Sequence, residues 1–142
     1  MTTNSLSPKG ISDAGHTMGW SIAGDFLAAF SRRDFAALTA SLDPDVAFRA
    51  LLPHGPLATT GADEVVNRLN TWFGGDDDFE ILDASIGQVG QRMYLRWRIR
   101  MHSADSGARI AEQHVFTRGE DRIVSLDLLC SGFQSESAKE VA

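Results

Sequence analysis

From Arg92 to His102 the chain alternates without a break. Met93, Leu95, Trp97, Ile99 and Met101 are apolar, and Tyr94, Arg96, Arg98 and Arg100 stand between them. A side-chain period of two belongs to an extended strand and not to a helix. Such a strand rests one face on a core and turns the other to water, which is the habit of antiparallel sheet. The chain therefore has to supply neighbouring strands and a second layer that covers five large apolar side chains.

Both are legible. Glu80 to Gln88, Arg109 to Phe116 and Arg122 to Cys130 read as further strands. Gly87 and Gly90, then Ser103 to Gly107, then Gly119-Glu120-Asp121 supply the turns, giving a four-strand antiparallel meander. The covering layer is helical and comes first. Ile22, Ala23, Phe26, Leu27 and Phe30 form one helical stripe. Asp34 is a good N-cap for a short second helix that carries Phe35, Leu38 and Leu42 inward, and Asp43-Pro44-Asp45 ends it. Val46 to Leu52 reads as a short strand, followed by a loop through Pro53-His54-Gly55-Pro56. A third helix runs from about Ala62 to Phe73, with Val65, Val66, Leu69, Trp72 and Phe73 on its apolar side and Gly74-Gly75 as its stop. Helices followed by a meander predict an α+β fold. Residues 1–16 read as a flexible N-terminal arm, 17–133 as the domain and 134–142 as a polar C-terminal tail.

At 142 residues there is room for one core. A net charge of −6 argues against nucleic acid or an anionic membrane as partner. Cys130 is the only cysteine, which leaves no intramolecular disulfide and fits a reducing compartment. The start of the chain lacks the basic and apolar pattern of a signal peptide, and the apolar stretch from Met18 to Phe30 is broken by Gly19, Gly24 and Asp25. A cytoplasmic protein is expected. Asp76-Asp77-Asp78 lacks the spacing of a calcium loop and reads as a solvated acidic turn. No phosphate-cradling loop, dinucleotide fingerprint or transition-metal pattern occurs, so neither a cofactor nor a metal is expected.

The chemistry-bearing residues lie on the last two long strands. Ile110, Glu112, His114 and Phe116 share one side of the first, and Val124, Leu126, Leu128 and Cys130 share one side of the second. If these are the same face, an apolar wall carries an acid, an imidazole and a thiol. An imidazole beside a carboxylate is a workable proton-transfer pair near neutral pH, so His114 and Glu112 are the expected catalytic residues. Glu112 is also a possible partner for the indole N–H of Trp97, which needs one when buried. Cys130 reads as a small apolar filler or wall residue, less readily as a nucleophile. Arg96, Arg98 and Arg100 pair with carboxylates on neighbouring strands, Asp83 and Asp127 by parity, or face a second subunit or an anion.

The order of elements carries a resemblance. Asp34-Phe35-Ala36-Ala37-Leu38, Asp43-Pro44-Asp45-Val46-Ala47-Phe48, a loop reaching Gly61, a helix, then four strands with Leu95-Arg96-Trp97 and Asp121-Arg122-Ile123-Val124 look like the nuclear transport factor 2-like superfamily. The likeness is greatest to its SnoaL-like and ketosteroid-isomerase-like branch, and covers roughly Met18 to Phe133. It implies a cone: a strongly curved antiparallel sheet wrapped around three helices, enclosing a hydrophobic pocket. Members include isomerases, dehydratases, polyketide cyclases and epoxide hydrolases, and others bind ligands or partners without chemistry. Where isomerase-like members carry a general base, this chain has Arg49-Ala50-Leu51 and no acid. The oxyanion donor of those enzymes matches His114, or Gln113 if the turn shifts by one residue. Asp127 is one residue out of phase with the epoxide hydrolases' Asp–Arg–Asp arrangement and is expected on the outer face. The resemblance implies a hydrophobic small-molecule ligand bearing a carbonyl or hydroxyl group. Trp97, Phe116, Leu128 and Cys130 would line its pocket, Trp20 would close it, and His54 would stand at its mouth. The expected activity is that of an isomerase, lyase or cyclase, with a non-catalytic binding domain as the alternative. A homodimer through the outer sheet face is also implied.

Overall fold

The helical stripe becomes the buried side of α1 (Gly10–Ser31), where Ile22, Ala23, Phe26, Ala29 and Phe30 are all buried. The computed structural model describes the backbone of residues 10–136 and the side chains from Trp20 onward. Of the expected arm and tail, residues 1–9 and 137–142 lie outside the described residues. Residues 10–16, expected as arm, are the first turns of α1. No helix among the described residues is long and apolar enough to cross a membrane.

Asp34 caps α2 (Phe35–Ser41) as expected, its carboxylate accepting the Ala37 N–H at 3.1 Å. The preceding Arg33 takes a left-handed φ of 53°, and its guanidinium donates to the carbonyls of Phe73 and Asp77. It thereby ties the α1–α2 turn to the end of α3 (Ala62–Phe73) while lying over the Phe79 ring. Satisfying a helix's last carbonyls with a cation is favourable on both hydrogen-bonding and dipole grounds.

Leu42, expected on the second helix, opens β1 (Leu42–Leu52) and is buried all the same. Asp43-Pro44-Asp45 lies inside that strand, where its register with β6 is irregular. A strand not expected from the sequence follows: β2 (Gly55–Thr60) turns back on β1, pairing Leu52 with Gly55 and Ala47 with Thr60. Two prolines and a glycine masked it, and it is tolerated because it forms a sheet edge.

The meander is present as β3 (Asp78–Val89), β4 (Arg92–Ser103), β5 (Gly107–Arg118) and β6 (Ile123–Cys130). The sheet order is β2-β1-β6-β5-β4-β3, and β1 runs parallel to β6 while every other pair is antiparallel. The curved sheet is thus mixed and unclosed, with β2 and β3 at its edges. The beginning of the expected tail is anchored: β7 (Gln134–Ser135) pairs with β5, and Glu136 bridges to Arg100 at 2.9 Å. Gly119 turns β5 into β6 at φ 126°, where any Cβ would collide with the Arg122 carbonyl oxygen.

The three helices fill the hollow of this sheet. Trp97 is its centre, 1% exposed, with Phe30 at 4.4 Å between ring centroids and Phe26 at 6.2 Å. Phe30 also meets Phe73 and Phe79 edge-on at 5.3 and 5.7 Å. Phe30 therefore links α1, α3, β3 and β4 through one ring. Phe30→Ala is expected to cost about 3–5 kcal/mol in urea unfolding. Leu51→Ala, at a site 54% exposed, should change stability by no more than about 0.5 kcal/mol. Equal losses would show that the aromatic cluster is not the core.

Candidate functional site

Register decides which side chains meet. β4 pairs with β5 across the Ser103–Gly107 turn, so Arg98 faces Glu112, Trp97 faces Gln113 and Arg96 faces His114. β5 pairs with β6 so that Gln113 faces Cys130 and Val115 faces Leu128. Glu112, His114 and Phe116 therefore lie on the outer face, and Gln113, Val115 and Thr117 look inward. The expectation that Glu112 and His114 share a wall with Leu126, Leu128 and Cys130 is off by one residue. Burial of Leu126 and Leu128 fixes this register, because a slip of one would turn both outward.

The inner wall holds a short polar chain. The Trp97 indole N–H donates to Gln113 Oε1 at 2.8 Å, so Gln113 and not Glu112 is its partner. The Gln113 amide nitrogen lies 3.2 Å from Cys130 Sγ, which also receives the Gly132 N–H at 3.3 Å. Gln113 is wholly buried, Leu128 is buried, and Cys130 is partly exposed. Trp97 is core.

The outer wall holds the ionisable groups. Tyr94 Oη lies 2.6 Å from His114 Nδ1, and His114 Nε2 lies 2.7 Å from Glu112 Oε2. The neutral imidazole satisfies both contacts at once when the phenol donates to Nδ1 and Nε2–H donates to the carboxylate. Arg98 holds the other carboxylate oxygen, Oε1, at 3.3 Å. The His114 hydrogen bond, assisted by Arg98, keeps the Glu112 carboxyl below its ordinary range. Glu112 is thus ionised and aligned to orient the imidazole. The side chains of His114 and Glu112 are 34% and 32% exposed, so the pair sits in the surface of the sheet and not in a sheltered hollow. Phe116 stacks obliquely on Tyr94, with centroids 5.1 Å apart.

The arginine row is paired on this same face. Arg96 bridges Asp83 at 2.6 Å, and Arg100 bridges Glu80 and Glu136. The hydrogen bond from Arg96 lowers the Asp83 pKa. Asp127 is on the outer face as expected, where it takes Arg49 at 2.8 Å and Arg92 at 3.5 Å instead of the row.

The expected site residues thus separate. His114, Glu112 and Phe116 gather outside with Tyr94, while Trp97, Leu128 and Cys130 gather inside with Gln113. His54 stands exposed in the β1–β2 turn. Trp20 is 41% exposed on α1 and donates its N–H to Gln88 Oε1 at 3.1 Å. Tyr94 as a partner of His114 was missed, although both lie on the face of the arginine row. Among the described residues no three His, Cys, Asp or Glu side chains converge as metal ligands.

Several solved structures share this fold. A protein assigned as a polyketide cyclase from Xanthomonas campestris pv. campestris superposes with a TM-score of 0.65 at 17% identity, over 81% of this chain and 91% of its own. An LEH-like epoxide hydrolase from M. tuberculosis gives 0.61 at 16% identity, covering 81% and 84%. An NTF2-like protein from Burkholderia xenovorans LB400 gives 0.62 at 13%, covering 81% and 90%. Identities this low establish the fold alone. Among curated proteins no sequence match was found. The SnoaL-like domain model matches residues 23–126, from the middle of α1 to the buried centre of β6, and the chain belongs to the SnoaL-like domain family.

Proposed function

We propose that this chain is a small-molecule enzyme that transfers a proton without a cofactor, acting on an apolar substrate that bears a carbonyl or hydroxyl group. The observation that carries this reading is the pair of short hydrogen bonds in series, Tyr94 to His114 to Glu112. A hydroxyl bonded to an imidazole whose far nitrogen is held by a carboxylate is the geometry of general acid–base transfer. The Tyr94 oxygen takes a proton from carbon beside the substrate carbonyl as its own proton passes to His114 Nδ1. Glu112 then faces an imidazolium and stabilises it. Return of the proton to another carbon gives an isomer, and loss of a β-hydroxyl gives a dehydration product. A second copy of the chain on the outer face would exclude water from this half-exposed unit. Leu51 and Leu129, 54% and 51% exposed, pair with each other beside His114 and are the apolar surface it would cover.

The buried Gln113 amide favours a second reading, in which the substrate oxygen binds the concave wall and takes an amide N–H. The two separate by variant. A panel of hydrophobic ketones and β-hydroxyketones in D2O, followed by proton NMR, reports deuterium uptake without knowledge of the true substrate. Wild type is expected to exceed buffer. Tyr94→Phe and His114→Ala should each lose about 10²–10⁴-fold, with Gln113→Met little changed. Loss in the Gln113 variant alone would transfer the site to the inner wall, and exchange no faster than buffer in wild type would overturn both readings.

Glu112 also makes a pH prediction. Its folded pKa lies below its unfolded value of about 4.3, so its contribution to stability is complete above that value. It is lost as pH falls through the folded pKa. Melting temperatures should therefore place Glu112→Gln below wild type at pH 7, with the gap closing in acid below about pH 4. A gap that stays constant down to pH 3 would show that the hydrogen bonds to the ionised carboxylate contribute nothing.

A further inference from the structure

The pairing of Arg96, Arg98 and Arg100 leaves a different set of cations on the outer face unbalanced. Arg49 and Arg92 converge on Asp127 alone, through Oδ1 at 2.8 Å and Oδ2 at 3.5 Å. Arg49 uses its Nε there, which leaves both terminal nitrogens free of that carboxylate. The Arg92 contact is at the limit of a hydrogen bond, and its side chain is 48% exposed. Arg118 adds a third guanidinium. It lies one residue beyond the Met93–Thr117 pair, where Arg92 is its opposite number, and alternation puts it on the face of Phe116. Among the described residues no carboxylate lies within ion-pair distance of Arg118. Glu120 and Asp121 stand exposed in the adjoining turn without bridging to any of the three.

Two guanidiniums on one carboxylate, with Arg118 opposite Arg92 on the next strand, leave a local excess of positive charge on a chain whose net charge is −6. Like charges placed opposite one another across strands are unfavourable unless something lies between them. Between Arg49 and Arg92 there is a cavity of about 300 Å³, open to solvent, with Phe116 and Leu51 in its lining. That volume is at the lower end of the roughly 300–1,000 Å³ typical of small-molecule sites. One guanidinium fork takes a carboxylate through two N–H groups, and an aromatic ring beside it accepts a flat apolar body.

We infer that this notch binds a small organic acid, its carboxylate between Arg49 and Arg92, the two arginines that line it, and its apolar body along Phe116. Phe116 leads to Tyr94, 5.1 Å away between ring centroids. Resting on the proton-transfer reading, the inference makes the substrate of that site a carboxylic acid whose reacting carbon lies about one ring's length from its carboxylate. Asp127 is the built-in counter-ion: it holds two of the guanidiniums in place and leaves their remaining donors to the ligand.

Calorimetric titration with 4-phenylbutanoate tests the anchor without any turnover. Wild type is expected to bind it at least tenfold more tightly than the neutral 4-phenylbutanamide, and more weakly as salt rises. Arg49→Ser and Arg92→Ser should each weaken the acid about tenfold and leave the amide unchanged, and Phe116→Ala should weaken both. Equal affinity for acid and amide, or acid binding that survives both arginine changes, overturns the inference. So does a result in which the acid does not bind while the arginine variants alter the mass of the particle in light scattering, because the notch then takes an acidic side chain of a second copy. Failure of the anchor with deuterium uptake by neutral ketones intact removes only the carboxylate. Binding of the acid without uptake by any ketone removes the proton transfer.

Discussion

Everything chemical in this molecule depends on how β4 and β5 are aligned. Ser103 pairs with Gly107 across three turn residues, and from that point the sum of paired residue numbers is constant along the hairpin. Trp97 consequently meets Gln113, and Arg98 meets Glu112. In a sheet buried on one face, slipping by one residue exchanges all inward and outward side chains. It would bring Glu112 against the indole of Trp97 and place Gln113 among arginines. The carboxylate would then lose its guanidinium and enter a dry aromatic core, which is far more costly than burying an amide.

The folding pattern was legible because it rests on long unambiguous periods. The β4 alternation, the α1 stripe and the Asp34 cap were each readable from a few residues, and each stands in the structure. β2 was not legible, since Gly55-Pro56 reads as turn chemistry and an edge strand needs little apolar content. The parallel contact of β1 with β6 is a tertiary choice that no local window encodes. On β5 the two faces are Ile110, Glu112, His114, Phe116 and Ala111, Gln113, Val115, Thr117, and neither set is plainly the apolar one. Composition could not separate them. The Ser103–Gly107 turn could have, because counting outward from it puts Glu112 beside Arg98, an opposite-charge pair. The more informative signal was thus the partner strand and not the strand that carries the residues.

That assignment gives the two faces different chemistry. The inner face has two wholly or nearly buried polar residues on the sheet, Gln113 and Thr117, and at its end the part-buried Arg109, which bridges Asp77 at 2.6 Å over the Phe133 ring. The outer face concentrates the charges, with Glu112 held in its ionised form by an imidazole and a guanidinium. Exposed ion pairs of this kind stabilise little. Their consistent consequence is positional: each guanidinium is aimed, and His114 is held between two fixed oxygens. Shared fold with proteins named for cyclisation or epoxide opening does not decide which face reacts, because identities of 16–17% establish the fold alone.

Gln113 explains why the inner face tolerates any polarity at all. A buried indole N–H without an acceptor costs on the order of 1–3 kcal/mol, and α1 covers Trp97 with the Phe26 and Phe30 rings, which offer none. The acceptor has to come from the next strand at the facing position, which is residue 113. Glutamine supplies an oxygen there without a charge, and its own amide N–H groups then need an acceptor of their own. Cys130, facing it from β6, provides the sulfur. The indole thus finds its acceptor in the amide, and the amide finds its own in the sulfur, across three adjacent strands. This polar seam through an apolar wall fixes β4, β5 and β6 in the single alignment that places His114, Glu112 and Tyr94 together on the opposite side.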